Sequence, residues 1–87
     1  PFVEQLQREL GVAVQADPKN AAAHARLGAV LEEAGFRKLA LRHLRAAVDA
    51  DPKDAATWHR LARALSDADT AGAIEAFGKA VALAPEN

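Results

Sequence analysis

Apolar residues recur along the chain at spacings of three and four residues, the pattern that lines one face of an α-helix. Five segments show this pattern, and it predicts helices over residues 2–16, 21–34, 37–50, 55–66 and 70–83. No segment has the alternation with a period of two that is typical of a strand. The pattern therefore predicts an all-α protein.

Short polar segments separate the predicted helices. Pro18 and Pro52 disfavour helical geometry in the aspartates that precede them, and Gly35 supplies the backbone freedom with which helices commonly end. Asn20 and Asp69 are predicted to accept hydrogen bonds from free amides at the start of the next helix. Because the connections are short, each helix is expected to fold back antiparallel to the one before it.

The helices recur in pairs. The stretch 21–54 holds the template, the next stretch repeats it, and residues 1–20 repeat only its second half. The template is His24-x2-Leu27-Gly28-x2-Leu31, Ala40-x3-Leu44 and Pro52; the copies are Trp58-x2-Leu61-Ala62-x2-Leu65, Ala73-x3-Phe77 and Pro85, and Leu6-x3-Leu10 and Pro18. We expect units at 1–20, 21–54 and 55–87 within one domain, the last unit having a turn that is one residue shorter. Gly28, inside a predicted helix, is expected to allow close approach of a neighbouring helix.

This pattern resembles the tetratricopeptide repeat, whose units carry W-x2-L-G-x2-Y, A-x3-F and P. The chain departs from it with His24 at the aromatic position, Ala62 at the glycine, Leu31 and Leu65 at the tyrosine, and Leu6 at the alanine of the half unit. The resemblance implies a right-handed superhelical solenoid of five antiparallel helices, about two and a half repeats. It also implies a scaffold or adaptor whose first helices line a concave groove for a partner's peptide or helix.

Composition narrows the range of functions. A net charge of −1, from 11 basic and 12 acidic residues, gives no overall attraction to nucleic acid or to an anionic membrane. The absence of cysteine excludes disulfides and thiolate metal sites. No apolar run is long enough to span a membrane, and no signal peptide is recognisable; the cytoplasm is favoured as the compartment over the periplasm. Pro1 and the lack of methionine suggest a segment of a longer protein, the alternative being a native start after removal of the initiator methionine.

A candidate ligand groove follows from the faces of the second and fourth helices that lie opposite their leucines. Its predicted residues are Arg26, Ala29, Glu33, His59, Arg60 and Arg63. Arg26 and Arg60 occupy equivalent sites in adjacent units, and with Arg63 they would form a basic strip. Guanidinium groups bind carboxylates through two parallel hydrogen bonds, so the strip predicts an acidic partner segment.

Two considerations weigh on that strip. The alternative is that Arg63 pairs with Asp67 four residues on, and that the other two arginines are ordinary solvated side chains. The resemblance adds that Ala25 and Ala29 stand where the family's carboxylate clamp would have a lysine and an asparagine. A clamp of that type is therefore not expected, whereas another acidic ligand is.

A second hypothesis concerns apolar residues at the two ends of the array, because such repeats contact only their neighbours and their ends need polar caps. The residues expected to support self-association are Phe2, Leu6, Ile74, Phe77 and Val81. On this alternative the chain is a self-associating or spacer module within a larger bacterial protein.

Catalysis and cofactor binding are not expected. His24, His43 and His59 form no pair at i, i+4, and zinc needs three or four convergent ligands. Helix capping explains the few hydroxyl residues, and no glycine-rich phosphate loop is present. The densest basic segment, residues 37–45, lacks aromatic side chains that would stack on bases, so nucleic-acid binding is not expected either.

Overall fold

The protein folds into five α-helices in a computed structural model that describes residues 2–84, with side chains from Glu4 onward. The helices are α1 (Phe2–Ala16), α2 (Ala21–Glu33), α3 (Arg37–Ala50), α4 (Ala55–Leu65) and α5 (Thr70–Leu83). No strand occurs in the described range. The prediction of an all-α fold is confirmed. Its bounds hold except at the ends of α2 and α4, where Ala34 and Ser66 are C-caps rather than helical residues.

Side chains from the connecting segments cap three of the helices. Asn20 accepts a hydrogen bond from the Ala23 amide at the start of α2, and Asp69 accepts one from the Gly72 amide at the start of α5. Both caps agree with the sequence-based prediction, and such a cap contributes about 1 kcal/mol. At the end of α2, Gly35 has a φ of 91°, as its predicted role in ending the helix requires.

Each helix packs on its neighbour in the chain, from α1 on α2 through to α4 on α5, and α2 also touches α4. The molecule measures 35 × 24 × 19 Å. Contacts are therefore mostly local, as in a stack of helical hairpins.

Helix α3 joins two hydrophobic clusters. Ala40 belongs to a cluster with Leu10 of α1 and with Leu27 and Leu31 of α2. One turn later, Leu44 belongs to the other cluster, which extends to α4 and α5. Because both clusters include α3, this helix couples the two halves of the chain.

The closest approach of α2 and α3 is at Gly28. A Cβ atom at this position would lie 2.7 Å from Cγ of Leu44 and 3.3 Å from the carbonyl oxygen of Ala40. These distances leave no room for a side chain, and they confirm the predicted role of the glycine.

Candidate partner-binding groove

An open groove of about 520 Å³ lies between α4 and α5. Small and apolar side chains form most of its surface, and three longer polar side chains come from one face of α4. Its lining residues are Ala55, Ala56, His59, Arg60, Arg63, Phe77, Ala80, Val81 and Ala84. Four alanines in this set allow the backbone of a bound segment to approach closely.

The polar lining is basic. Arg60 and Arg63 project from successive turns of α4, and within the described part of the chain no acidic side chain lines the groove. His59 lies against Phe77 with the ring centroids 5.5 Å apart in an edge-to-face arrangement, which links the two helices at the wall of the groove. The groove thus combines an apolar floor with a cationic side.

The groove contains half of the predicted ligand-groove residues. His59, Arg60 and Arg63 line it, whereas Arg26, Ala29 and Glu33 lie outside it on α2. Arg26 and Glu33 are exposed, and Ala29 is half-buried. The structure therefore brings together the three residues of α4.

Asp67 forms an ion pair with Arg37. The distance from Nη1 of Arg37 to Oδ2 of Asp67 is 3.4 Å, and both side chains are exposed. It is the one ion pair among residues 4–84, so the alternative pairing of Asp67 with Arg63 is not found there. An exposed pair of this kind contributes little to stability, about 0–1 kcal/mol.

The residues predicted for self-association differ between the two ends. Ile74, Phe77 and Val81 are exposed on α5. Leu6 of α1 is instead half-buried against the first hydrophobic cluster. The side chain of Phe2 lies outside the described residues. Among the predicted positions that are described, the exposed apolar surface is on α5.

Sequence reasoning missed a histidine pair. Nδ1 of His24 on α2 lies 3.1 Å from Nδ1 of His43 on α3, and the rings are stacked with centroids 5.3 Å apart. On its other side, Nε2 of His24 lies 2.8 Å from the carbonyl oxygen of Pro18. The two residues are 19 positions apart, so no spacing rule for one helix brings them together.

Comparison with the next unit fixes the protons of this pair. Nε1–H of Trp58 donates to the carbonyl of Pro52 at 2.8 Å, at the position that matches His24. A carbonyl only accepts, so Nε2 of His24 must likewise carry a proton. Neutral His24 therefore accepts at Nδ1, and the Nδ1–H of His43 donates to it.

Burial lowers the pKa of His43 below its ordinary value of 6.5, and repulsion from His24 and then from Arg42 lowers it further. The neutral form of His43 is thus favoured at neutral pH. Within the described residues, no group of three or more His, Cys, Asp or Glu side chains is arranged to hold a metal ion. None of the described helices has the length and apolar character needed to cross a bilayer.

The tetratricopeptide repeat model matches residues 21–64. This range includes α2, α3 and nearly all of α4. A comparison with curated proteins found no match.

Solved structures of MamA resemble the chain. A MamA fragment, residues 41 to the end, from Desulfovibrio magneticus RS-1 has a TM-score of 0.88 and 34% identity, over 99% of this chain and 49% of that one. The MamA RS-1 ArsTM double mutant gives 0.88 and 34% over 100% and 49%. A further crystal structure of MamA gives 0.85 and 28% over 91% and 47%. The chain thus spans about half the length of each of these structures.

Proposed function

Because the chain belongs to the tetratricopeptide repeat family, we propose that it is a protein-interaction module that binds an acidic segment of a partner protein. Repeats of this family are interaction modules rather than catalysts, and MamA has the same fold. The observation that carries the proposal is the α4–α5 groove, where Arg60 and Arg63 stand beside an apolar floor with no acidic residue among the described lining residues. A partner with carboxylates and apolar side chains complements both parts of that surface.

The basic strip gives the partner its orientation in this proposal. Arg60 and Arg63 hold carboxylates at the groove, and Arg26 extends the positive surface along α2. His59 lies at the rim. Glu33 and Ala29 bound the strip on α2, where the small side chain leaves room for the partner's backbone.

We expect Arg60→Glu to abolish binding, because it replaces the attraction for carboxylates with repulsion at the groove wall. Peptides selected from a displayed random library on the immobilised chain serve as probes, and their affinities are measured by fluorescence anisotropy. The selected peptides should be enriched in Asp and Glu, and added salt should weaken their binding.

Arg8→Glu is the matched control, since Arg8 is an exposed arginine on α1, away from the groove. It should leave the affinity close to that of the unchanged chain. Selection without acidic enrichment, or equal loss of binding in the two variants, would contradict the proposal.

The second candidate is self-association through Phe2, Leu6, Ile74, Phe77 and Val81, which the exposure of the three α5 residues supports. On this hypothesis, size exclusion with light scattering yields a mass above that of one 9.2 kDa chain, and the mass rises with concentration. Val81→Glu should return the mass to that of a monomer. A constant monomer mass over a wide concentration range would rule out self-association.

A further inference from the structure

The α5 surface differs from the α3 surface at matched positions of the repeat. Leu44 is 0% exposed but its counterpart Phe77 is 37% exposed, and Val48 is 4% exposed but Val81 is 62% exposed. Both pairs keep the apolar character while the exposure changes. An apolar surface that the repeat normally buries is therefore open on α5.

Helix α4 causes the difference. Leu44 and Val48 are buried because Leu61, Ala62 and Leu65 of α4 pack against them in one cluster. The α4–α5 groove, with Phe77 and Val81 in its lining, is the counterpart of the surface that α4 covers. The preceding unit thus shows what kind of element fits this surface: an α-helix with leucines four residues apart and a small residue directly after the first.

We propose that the α4–α5 groove, with the neighbouring Ile74, is a seat for one amphipathic helix of a partner protein, which packs on α5 as α4 packs on α3 and carries acidic residues toward Arg60 and Arg63. Helix-in-groove recognition reads apolar anchors along one helix face, which suits a floor made of Phe77, Val81 and alanines. The acidic character follows from charge complementarity with the groove wall.

A second copy of the chain does not supply this helix. The two helices with the required pattern, α2 and α4, are each packed between a preceding and a following helix. The apolar stripe of α1 is also in use, since Leu6, Leu10 and Val14 pack in the first cluster. Stacking two chains end to end would place α1 against α5, which does not reproduce the packing of α4 on α3.

The probe is a fluorescein-labelled peptide of residues 54–66, carrying Ala56→Glu, His59→Glu and Arg63→Glu at three positions that are exposed in α4. Its apolar face is the one that the equivalent surface already accommodates. We expect saturable binding to the 87-residue chain, with amide chemical-shift changes centred on Phe77 and Val81. The same peptide with lysine substitutions at those three positions should bind about tenfold more weakly, because like charges then meet at the groove wall.

Val81→Glu in the chain should reduce the affinity for the acidic peptide about tenfold or more, since it buries an unpaired charge at the centre of the contact. The fold should survive this change because Val81 is largely exposed, and circular dichroism checks it. Val12→Glu is the matched control, as Val12 is an equally exposed valine on α1. Absence of saturable binding, equal affinity in both variants, or a chain dimer that Val81→Glu disrupts would overturn the proposal.

The inference rests on the proposed function only through Arg60 and Arg63, which belong to both surfaces. Val81 belongs to the seat alone, and Arg26 belongs to the strip alone. If library-selected peptides lose affinity in Arg26→Glu but not in Val81→Glu, the acidic strip stands and the helix seat is wrong. The opposite result would support the seat and remove the strip along α2.

Discussion

Gly28→Ala is expected to destabilise the protein by about 1–2 kcal/mol, although alanine is the better helix former. The new methyl group would lie 2.7 Å from Cγ of Leu44, a side chain with no exposed surface and no space into which to move. Overpacking of this kind costs about 1–3 kcal/mol, and the gain in helix propensity offsets about 1 kcal/mol of it. Urea denaturation followed by the fluorescence of Trp58, the single tryptophan, measures the change.

Gly78→Ala is the matched control because Gly78 also lies inside a helix, but a Cβ atom added there would meet no other atom within 4 Å. It should stabilise the protein by roughly 0.5–1 kcal/mol through helix propensity alone. Leu44→Ala tests the cause, since removing the clashing atoms should make Gly28→Ala less harmful in that background. Equal stabilisation by both glycine replacements would show that α3 moves away at no cost.

The fold is predictable because its determinants are local. Apolar spacing places the five helices, and Pro18, Gly35 and Asp69 mark where helices end or begin. The two misplaced ends, at Ala34 and Ser66, are C-caps, where helical and non-helical geometry differ by one hydrogen bond. Local propensity and tertiary packing agree throughout the described helices, which is typical of a repeat whose contacts are between neighbours.

The groove is only half predictable. Helical periodicity identifies the face of α4 that carries His59 and Arg60, and it gives Arg26 as the equivalent of Arg60. It does not show that α5 forms the other wall of the groove, because this depends on how each helix pair turns relative to the preceding one. Periodicity therefore assigns Phe77 and Val81 to a separate surface, whereas they share the groove with Arg60.

The histidine pair is not predictable for a related reason. His24 packs like Trp58, as its place in the repeat predicts, and the hydrogen bonds to Pro18 and Pro52 show how close the equivalence is. An imidazole, however, has a second nitrogen that an indole lacks, and this atom needs a partner when it is buried. The signal in the sequence is the histidine at an aromatic position, which calls for a polar side chain on the facing helix, and His43 supplies it.

Acidification is expected to destabilise the protein through His43. Its pKa is lowered in the folded state, so below about pH 6.5 the unfolded chain binds the proton more strongly and the free energy of unfolding falls with pH. The contribution is fully present above that pH. A proton on each Nδ1 would also leave two donors facing each other at 3.1 Å, which removes the hydrogen bond between α2 and α3.

The measurement is the free energy of unfolding in urea at about pH 7.5 and about pH 5.5, bracketing the ordinary histidine pKa. His43→Gln should reduce the loss of stability between the two values, because a glutamine amide still donates to Nδ1 of His24 but does not titrate. His59→Gln is the matched control, since His59 is exposed beside the groove and lies outside the pair. Nitrogen chemical shifts at neutral pH should show a proton on Nε2 of His24 and on Nδ1 of His43. An unchanged pH dependence in His43→Gln would mean that another group is responsible for the acid sensitivity.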